Sequence, residues 1–233
     1  MQAQPILHLI FEQAIAPKDL SLFSTTLLSQ WSDAGELPSL RRDRSAGYPN
    51  IQFKVRHYFG HCRPMLFAMG MEAQFLFDAL QAGYTTLPAA IADMRLLQLR
   101  LGTRKHFFDY QLFNYKALNA TYAKQYALLT NQPSQVAFLH SCLQQHLGSL
   151  LEGLGMVPSG ILLRDIRLRR RKCIRWKGRS EYGFDLQFTT NVFLPEYIGV
   201  GRDVRCGFGV VRRGEDGRDG GRRTGGELRG FRV

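Results

Sequence analysis

Along the first half of the chain, apolar and polar residues either alternate or recur at helical spacing, in a definite order. PILHLIF (Pro5 to Phe11) alternates weakly and ends ahead of Pro17, which predicts a short strand. From Leu20 to Trp31 the residues Leu20, Phe23, Leu27, Leu28 and Trp31 return on one side of a helix. Gly35 to Gly47 is a polar, basic loop holding Arg41, Arg42 and Arg44. Tyr48 to Tyr58 sets Ile51, Phe53 and Val55 against Gln52, Lys54 and Arg56, which predicts a strand with one basic face. Gly60 marks a turn, Arg63 to Met69 returns as a more apolar strand, Glu72 to Ala82 fits an amphipathic helix, and Met94 to Leu101 alternates again. Strand, helix, two strands, helix, strand is the ferredoxin-like order. It implies a four-stranded antiparallel sheet with two helices on one face and the other face free to bind.

The second half repeats the pattern more loosely. Phe107 to Tyr126 is rich in aromatics and leads into a helix around Leu118 to Leu129. Val136, Leu139, Leu143, Leu147 and Leu150 define a second helix that ends at Gly153 and Gly155. Ile161 to Trp176 is the most basic strand in the chain, and Tyr182 to Phe193 alternates Phe184, Leu186 and Phe188. The expected fold is α+β, with two tandem ferredoxin-like halves over residues 1–105 and 106–211 and a glycine-rich loop closing the second. From Arg212 the composition turns to glycine, arginine and acid, with almost nothing to bury, so residues 212–233 are expected to be a disordered tail. That tail reads either as an RNA-binding arginine-glycine segment or as an altered end without a role.

Charge adds what the pattern lacks. A formal net charge of +12 in 233 residues points to a polyanionic partner, nucleic acid or an anionic membrane surface. No run of about eighteen apolar residues suggests a membrane span, and MQAQPILHLIFEQAIAP lacks a basic start and a cleavage site for secretion. The positive charge lies on strands and loops instead of on an amphipathic helix, which disfavours a membrane surface. Cys62, Cys142, Cys173 and Cys206 stand far apart without a Cys-x-x-Cys pair, as free thiols of a cytoplasmic protein do. No metal or other cofactor is expected. His57, His61 and Cys62, read as ligands, lack a fourth partner.

Two stretches fit nucleic acid. Arg164, Arg167, Arg169, Arg170, Arg171, Lys172 and Arg175 crowd one strand with only Asp165 as an acidic neighbour, far more charge than protection of a sheet edge requires. In IGVGRDVRCGFGV, Gly199, Gly201, Gly207 and Gly209 flank Arg202 and Arg205. Exposed amides between guanidiniums describe a phosphate cradle; a tight hairpin is the alternative. Trp176, Tyr182 and Phe208 offer rings for stacking on bases or for the core.

The residues also carry a resemblance. Two ferredoxin-like halves ending in Gly-x-Gly-x5-Gly-Phe-Gly resemble the RAMP superfamily, and within it the CRISPR repeat-processing endoribonucleases. YGFDLQFTTNVFLPEYIGVGRDVRCGFGVV is similar to the strand, Leu-Pro turn and glycine-rich loop that end those proteins, and YPNIQFKV, LFNYKALNATYAKQY and LLEGLGM are similar to earlier stretches. The resemblance spans most of residues 5 to 211. It implies binding of a CRISPR repeat RNA and one metal-independent cut, in which the 2′-hydroxyl attacks the adjacent phosphate and leaves a cyclic phosphate. It also implies delivery of the product to an interference complex.

The family usually places a histidine in the loop before the Tyr-Pro strand, and here that loop reads GELPSLRRDRSAGYP, without one. The substitutes are His57 and His61, on either side of the HYFGH turn, supported by Lys54 and Tyr48. Histidine is the natural proton carrier near neutrality. Arg41, Arg42, Arg44 and Arg56 would steady the phosphate. His8, His106, His140 and His146 read as packing or surface residues. Two alternatives follow from the missing histidine: a repeat-binding protein that does not cut, and a structural RAMP subunit that coats guide RNA.

Overall fold

The computed structural model describes residues 3–33, 48–58, 60–83 and 89–214. The chain forms two compact units, Met1–Arg100 with Arg205–Gly207, and Leu101–Val204 continuing from Phe208. The loop with Arg41, Arg42 and Arg44, and the tail from residue 215, lie outside the described residues.

In the first unit, β1 (Gln4–Phe11), α1 (Leu20–Asp33), β2 (Ile51–Tyr58), β3 (His61–Met69), α2 (Met71–Gln81) and β4 (Ile91–Leu99) follow the predicted order. The sheet runs β2-β3-β1-β4, antiparallel throughout, with β1 between β3 and β4. Period-2 alternation sends Leu7, Leu9, Phe11, Ile51, Phe53 and Leu66 to one face. There they meet Leu20, Leu27 and Trp31 of α1 and Leu76 of α2 in one apolar cluster.

The opposite face departs from the expectation of an open binding surface. Ile6, Gln52, Lys54, Met65 and Phe67 on it have no solvent exposure. It stays partly accessible toward β4, where Arg95 is exposed and, with Arg56, flanks Asp93. Alternation assigns residues to a face; it does not say whether that face is covered.

The second unit holds β5 (Gly102–Tyr115), α3 (Ala120–Ala127), α4 (Gln132–Gly153), β6 (Leu163–Trp176), β7 (Arg179–Phe193) and β8 (Val210–Arg213), in the sheet order β6-β7-β5-β8. Arg212 and Arg213, assigned to the tail by composition, pair with Gln111 and Tyr110 in β8. The division between units falls at Arg100/Leu101, ahead of the expected boundary, because β5 begins at Gly102 as one long strand of the second sheet. Both helices start on asparagine caps: Asn119 accepts from the Tyr122 N–H at 2.8 Å and Asn131 from the Ser134 N–H at 2.9 Å. Leu139, Leu143, Leu147 and Leu150 form the buried stripe of α4, and Tyr110, Leu112, Phe184, Leu186 and Phe188 are buried on the sheet. Where a ferredoxin-like unit would place its second helix, between β7 and β8, this chain has the glycine-rich loop.

Candidate nucleic-acid interface and proton-transfer groups

β6 is an edge strand, so its charged side chains meet solvent on more than one side. Arg164, Arg167, Arg169, Arg170, Arg171 and Arg175 are exposed. Two of them are oriented without losing charge: Arg164 stacks on the Phe107 ring at 4.1 Å, and Arg169 donates to Gln187 Oε1 at 2.8 Å. Lys172 differs. Its ammonium pairs with Asp185 Oδ2 at 2.6 Å and donates to Asn114 Oδ1 at 3.0 Å, so its charge is neutralised within the fold. The strand is a row of exposed guanidiniums, two of them oriented by neighbours, the arrangement that attracts a phosphate backbone.

The glycine-rich loop has internal reasons for each strained glycine. Gly209 has a φ of 62°, and a Cβ there would lie 1.9 Å from Val200 O; on Gly201, at 109°, a Cβ would lie 2.7 Å from the Tyr115 ring. A Cβ on Gly207, whose φ is 87°, would lie 2.7 Å from Leu20 Cδ2 in the first unit. The Val200 N–H donates to Gly209 O, the Gly209 N–H to Asn114 O and the Arg202 N–H to Lys116 O. Gly199 bridges to Val210. These amides serve the fold, so the phosphate-cradle reading falls to the side chains of Arg202 and Arg205. Arg202 donates to Leu118 O and lies 3.8 Å from Glu181. Arg205 is tied by its backbone, its carbonyl accepting from the Phe53 N–H at 2.9 Å.

Beneath the loop in the second unit sits Lys116, a residue the sequence reading passed over. It is fully buried, pairs with Asp203 and with Glu181 Oε2 at 2.8 Å, and lies 5.0 Å from the Phe208 ring. Phe208 packs edge-on against Trp176, and Tyr182 against Phe184 and Tyr126, so all three candidate stacking rings have protein neighbours. The only sequence signal for Lys116 was a lysine between a strand end and an asparagine cap, in NYKALNA. Its acidic partners are 65 and 87 positions away (181 − 116; 203 − 116).

The proton-transfer candidates of the first unit do not form one cluster. His57 and His61 lie at the β2–β3 turn, where His57 Nδ1 is 3.3 Å from Cys62 Sγ. Tyr48 stands at the other end of β2, about 20 Å away at strand rise, and its hydroxyl accepts from Gln52 Nε2 at 2.7 Å. Burial pushes its phenol above the ordinary range. Lys54 shares the Gln52 face, opposite that of His57 by strand alternation, and is fully buried. Desolvation lowers its ammonium to about 7, within reach of a proton exchange at neutral pH.

The remaining histidines each have a protein neighbour. His8 packs on Phe67 at 5.2 Å, and burial, with Arg56 and Arg95 nearby, lowers it to about 4. His106 packs on Phe108, and His140 Nε2 lies 3.3 Å from Leu163 O. His146 Nδ1 is 2.7 Å from the Tyr115 hydroxyl, and burial, aided by Arg202, lowers it to about 4. Among the described residues no helix is long and apolar enough to cross a membrane.

Comparison with known proteins follows the same division. The Cas6b C-terminal domain family matches residues 102–214, the second unit through the end of β8. Over the whole chain, the structure is similar to a CRISPR RNA processing endoribonuclease Cas6b, with 20% identity, a TM-score of 0.71, and coverage of 91% of this chain and 99% of that one. A second Cas6b structure gives 19% identity and a TM-score of 0.73 at the same coverage. Csf5, a type IV Cas6 crRNA endonuclease, gives 12% and 0.54, again over 91% and 99%. At these identities the likeness is one of fold. No curated protein sequence matches the chain.

Proposed function

We propose that this chain is a Cas6-type CRISPR repeat-processing protein, which binds the repeat of a precursor transcript and cuts it at one phosphodiester. The observation that carries the reading is the exposed guanidinium row on β6, within the residues matched by the Cas6b domain. Several phosphates neutralised along one strand supply affinity without any base contact.

The cut is a transesterification. The 2′-hydroxyl gives up its proton and attacks the neighbouring phosphorus, and the 5′-oxygen leaves and takes a proton. The products are a 2′,3′-cyclic phosphate and a 5′-hydroxyl. A base with a pKa near the working pH and cations on the pentacovalent phosphate are what a protein must supply. His57 and His61, exposed at the β2–β3 turn, are the proton carriers of this proposal. Arg56 and the loop arginines Arg41, Arg42 and Arg44 steady the phosphate. Lys54, lowered to about 7, serves as a buried proton acceptor or a short-range cation. The product then passes to an interference complex.

A second reading has its own observation. The loop of residues 35–47 carries no histidine, and His57, Lys54 and Tyr48 do not converge. A protein with that arrangement would bind the repeat stoichiometrically without turnover. Incubating the protein with the host's repeat RNA in excess chelator, beside His57→Ala and His61→Ala, separates the two. A single cut with a cyclic phosphate end, lost in one variant, supports the nuclease. Tight binding with no cut at any protein excess supports the binding-only protein.

A further inference from the structure

The second unit contains a cleft of about 620 Å³ between the turn end of the β6–β7 hairpin and the start of α3; of the guanidinium row only Arg171 lines it, and none of the proton-transfer groups does. We propose that this cleft receives one unpaired nucleotide of the bound RNA, its phosphate held at the rim and its base inside; the proposal rests on the repeat-RNA reading above.

Four features select a nucleotide. The volume falls in the range of pockets that enclose a small organic ligand, roughly 300–1,000 Å³. Arg171 and Arg179 line the cleft from exposed positions and supply the fork that grips a phosphate. Arg171 belongs to the same strand as Arg164, Arg167 and Arg169, so a backbone tracking β6 arrives at the cleft. One wall is apolar and aromatic, formed by Ala123 of α3 and by Tyr182, whose ring is held by Tyr126 at 5.7 Å and Phe184 at 6.2 Å. A fixed ring beside a gap is what a base stacks on.

The polar side of the cleft makes the base, instead of a bare anion, the occupant. Glu181 lines it, and the carboxylate is balanced by Lys116 at 2.8 Å and Arg202 at 3.8 Å. A site built for phosphate alone would not place an acid inside. A balanced carboxylate can accept from the amino or imino hydrogens that a base carries and a phosphate lacks. A lipid chain is disfavoured by the same charges.

The test is a binding series with fluorescein-labelled repeat RNA in which each unpaired nucleotide in turn is replaced by an abasic site. With the native protein, one position is expected to cost about tenfold in Kd more than its neighbours, the scale of a stacked base. Ala123→Phe fills the cleft and should weaken the intact repeat by a similar factor, with the abasic site costing nothing further. Arg179→Gln, at an exposed position, should show the same loss of distinction and decides the matter if Ala123→Phe does not fold. A flat abasic scan with tight binding overturns the cleft proposal and leaves the repeat-RNA reading intact, and so do penalties that multiply. A native protein that does not bind the repeat overturns that reading, and this proposal falls with it.

Discussion

β2 and β6 are both basic strands in sequence, β2 on one face and β6 on both, with Arg169 to Lys172 in succession, yet the fold treats them oppositely. In β2, Gln52 and Lys54 have no exposure, and Lys54 loses its hold on a proton near pH 7. In β6, six arginines stay exposed on an edge strand. A basic alternation is therefore a statement about which residues share a face. Whether the face attracts a polyanion depends on solvent access. Lys116 supplies the third case, fully buried but facing Asp203 and Glu181.

The comparison can be broken most severely at Lys116. Lys116→Met removes the buried cation between Asp203 and Glu181, leaving Glu181 only Arg202 at 3.8 Å, and should cost about 3 kcal/mol of stability. Urea unfolding would show it, and an unchanged midpoint would mean that the ion pairs do not anchor the loop. On β6, the combined change of Arg164, Arg167 and Arg169 to Gln should lower RNA affinity roughly 100-fold near 0.1 M salt. It should also flatten the log–log salt slope by about 2, at roughly 0.7–0.9 per phosphate contact. Binding titrations at three salt concentrations read both effects.

Lys54 gives a smaller effect with a definite sign. Its ammonium falls from 10.5 unfolded to about 7 folded, so between those values the unfolded chain binds the extra proton. Stability should rise with pH across that window, by at most about 1.4 kcal/mol per pH unit, and the penalty should be complete below pH 7. Melting curves from pH 7 to 10 should show this component in the native protein and lack it in Lys54→Met. The smallest effect belongs to Lys172→Gln. That cation is already paired with Asp185, so the salt slope should stay within about 0.3 of native.

Much of the fold was legible because the first unit is written in clean periods. The alternation of Ile51, Phe53 and Val55 and the helical spacing of Leu20, Leu27 and Trp31 translate directly into β2 and α1. β5 was not read as a strand because its pairing with β7 shifts register twice, between Thr103 and Phe108 and between Leu112 and Tyr115. Each shift resets the period of two. The glycines of the loop announced positive φ, but their close neighbours, Val200 O, the Tyr115 ring and Leu20, are fixed by tertiary packing that no local pattern encodes. The arginine row was legible as composition. The Lys116 pairs and the cleft were not, since each joins residues far apart in the chain, and the Lys172–Asp185 pair depends on the register of the β6–β7 hairpin.

The central claim is that the protein cuts its repeat by attack of a ribose hydroxyl. The most direct test is a single-turnover reaction on two repeats, one all-ribose and one with a single 2′-deoxynucleotide on the 5′ side of the cut. The account predicts equal binding of both, cleavage of the first and none of the second. Cleavage of the deoxy-substituted repeat at the same bond would contradict it, as would an all-ribose repeat that is bound and never cut.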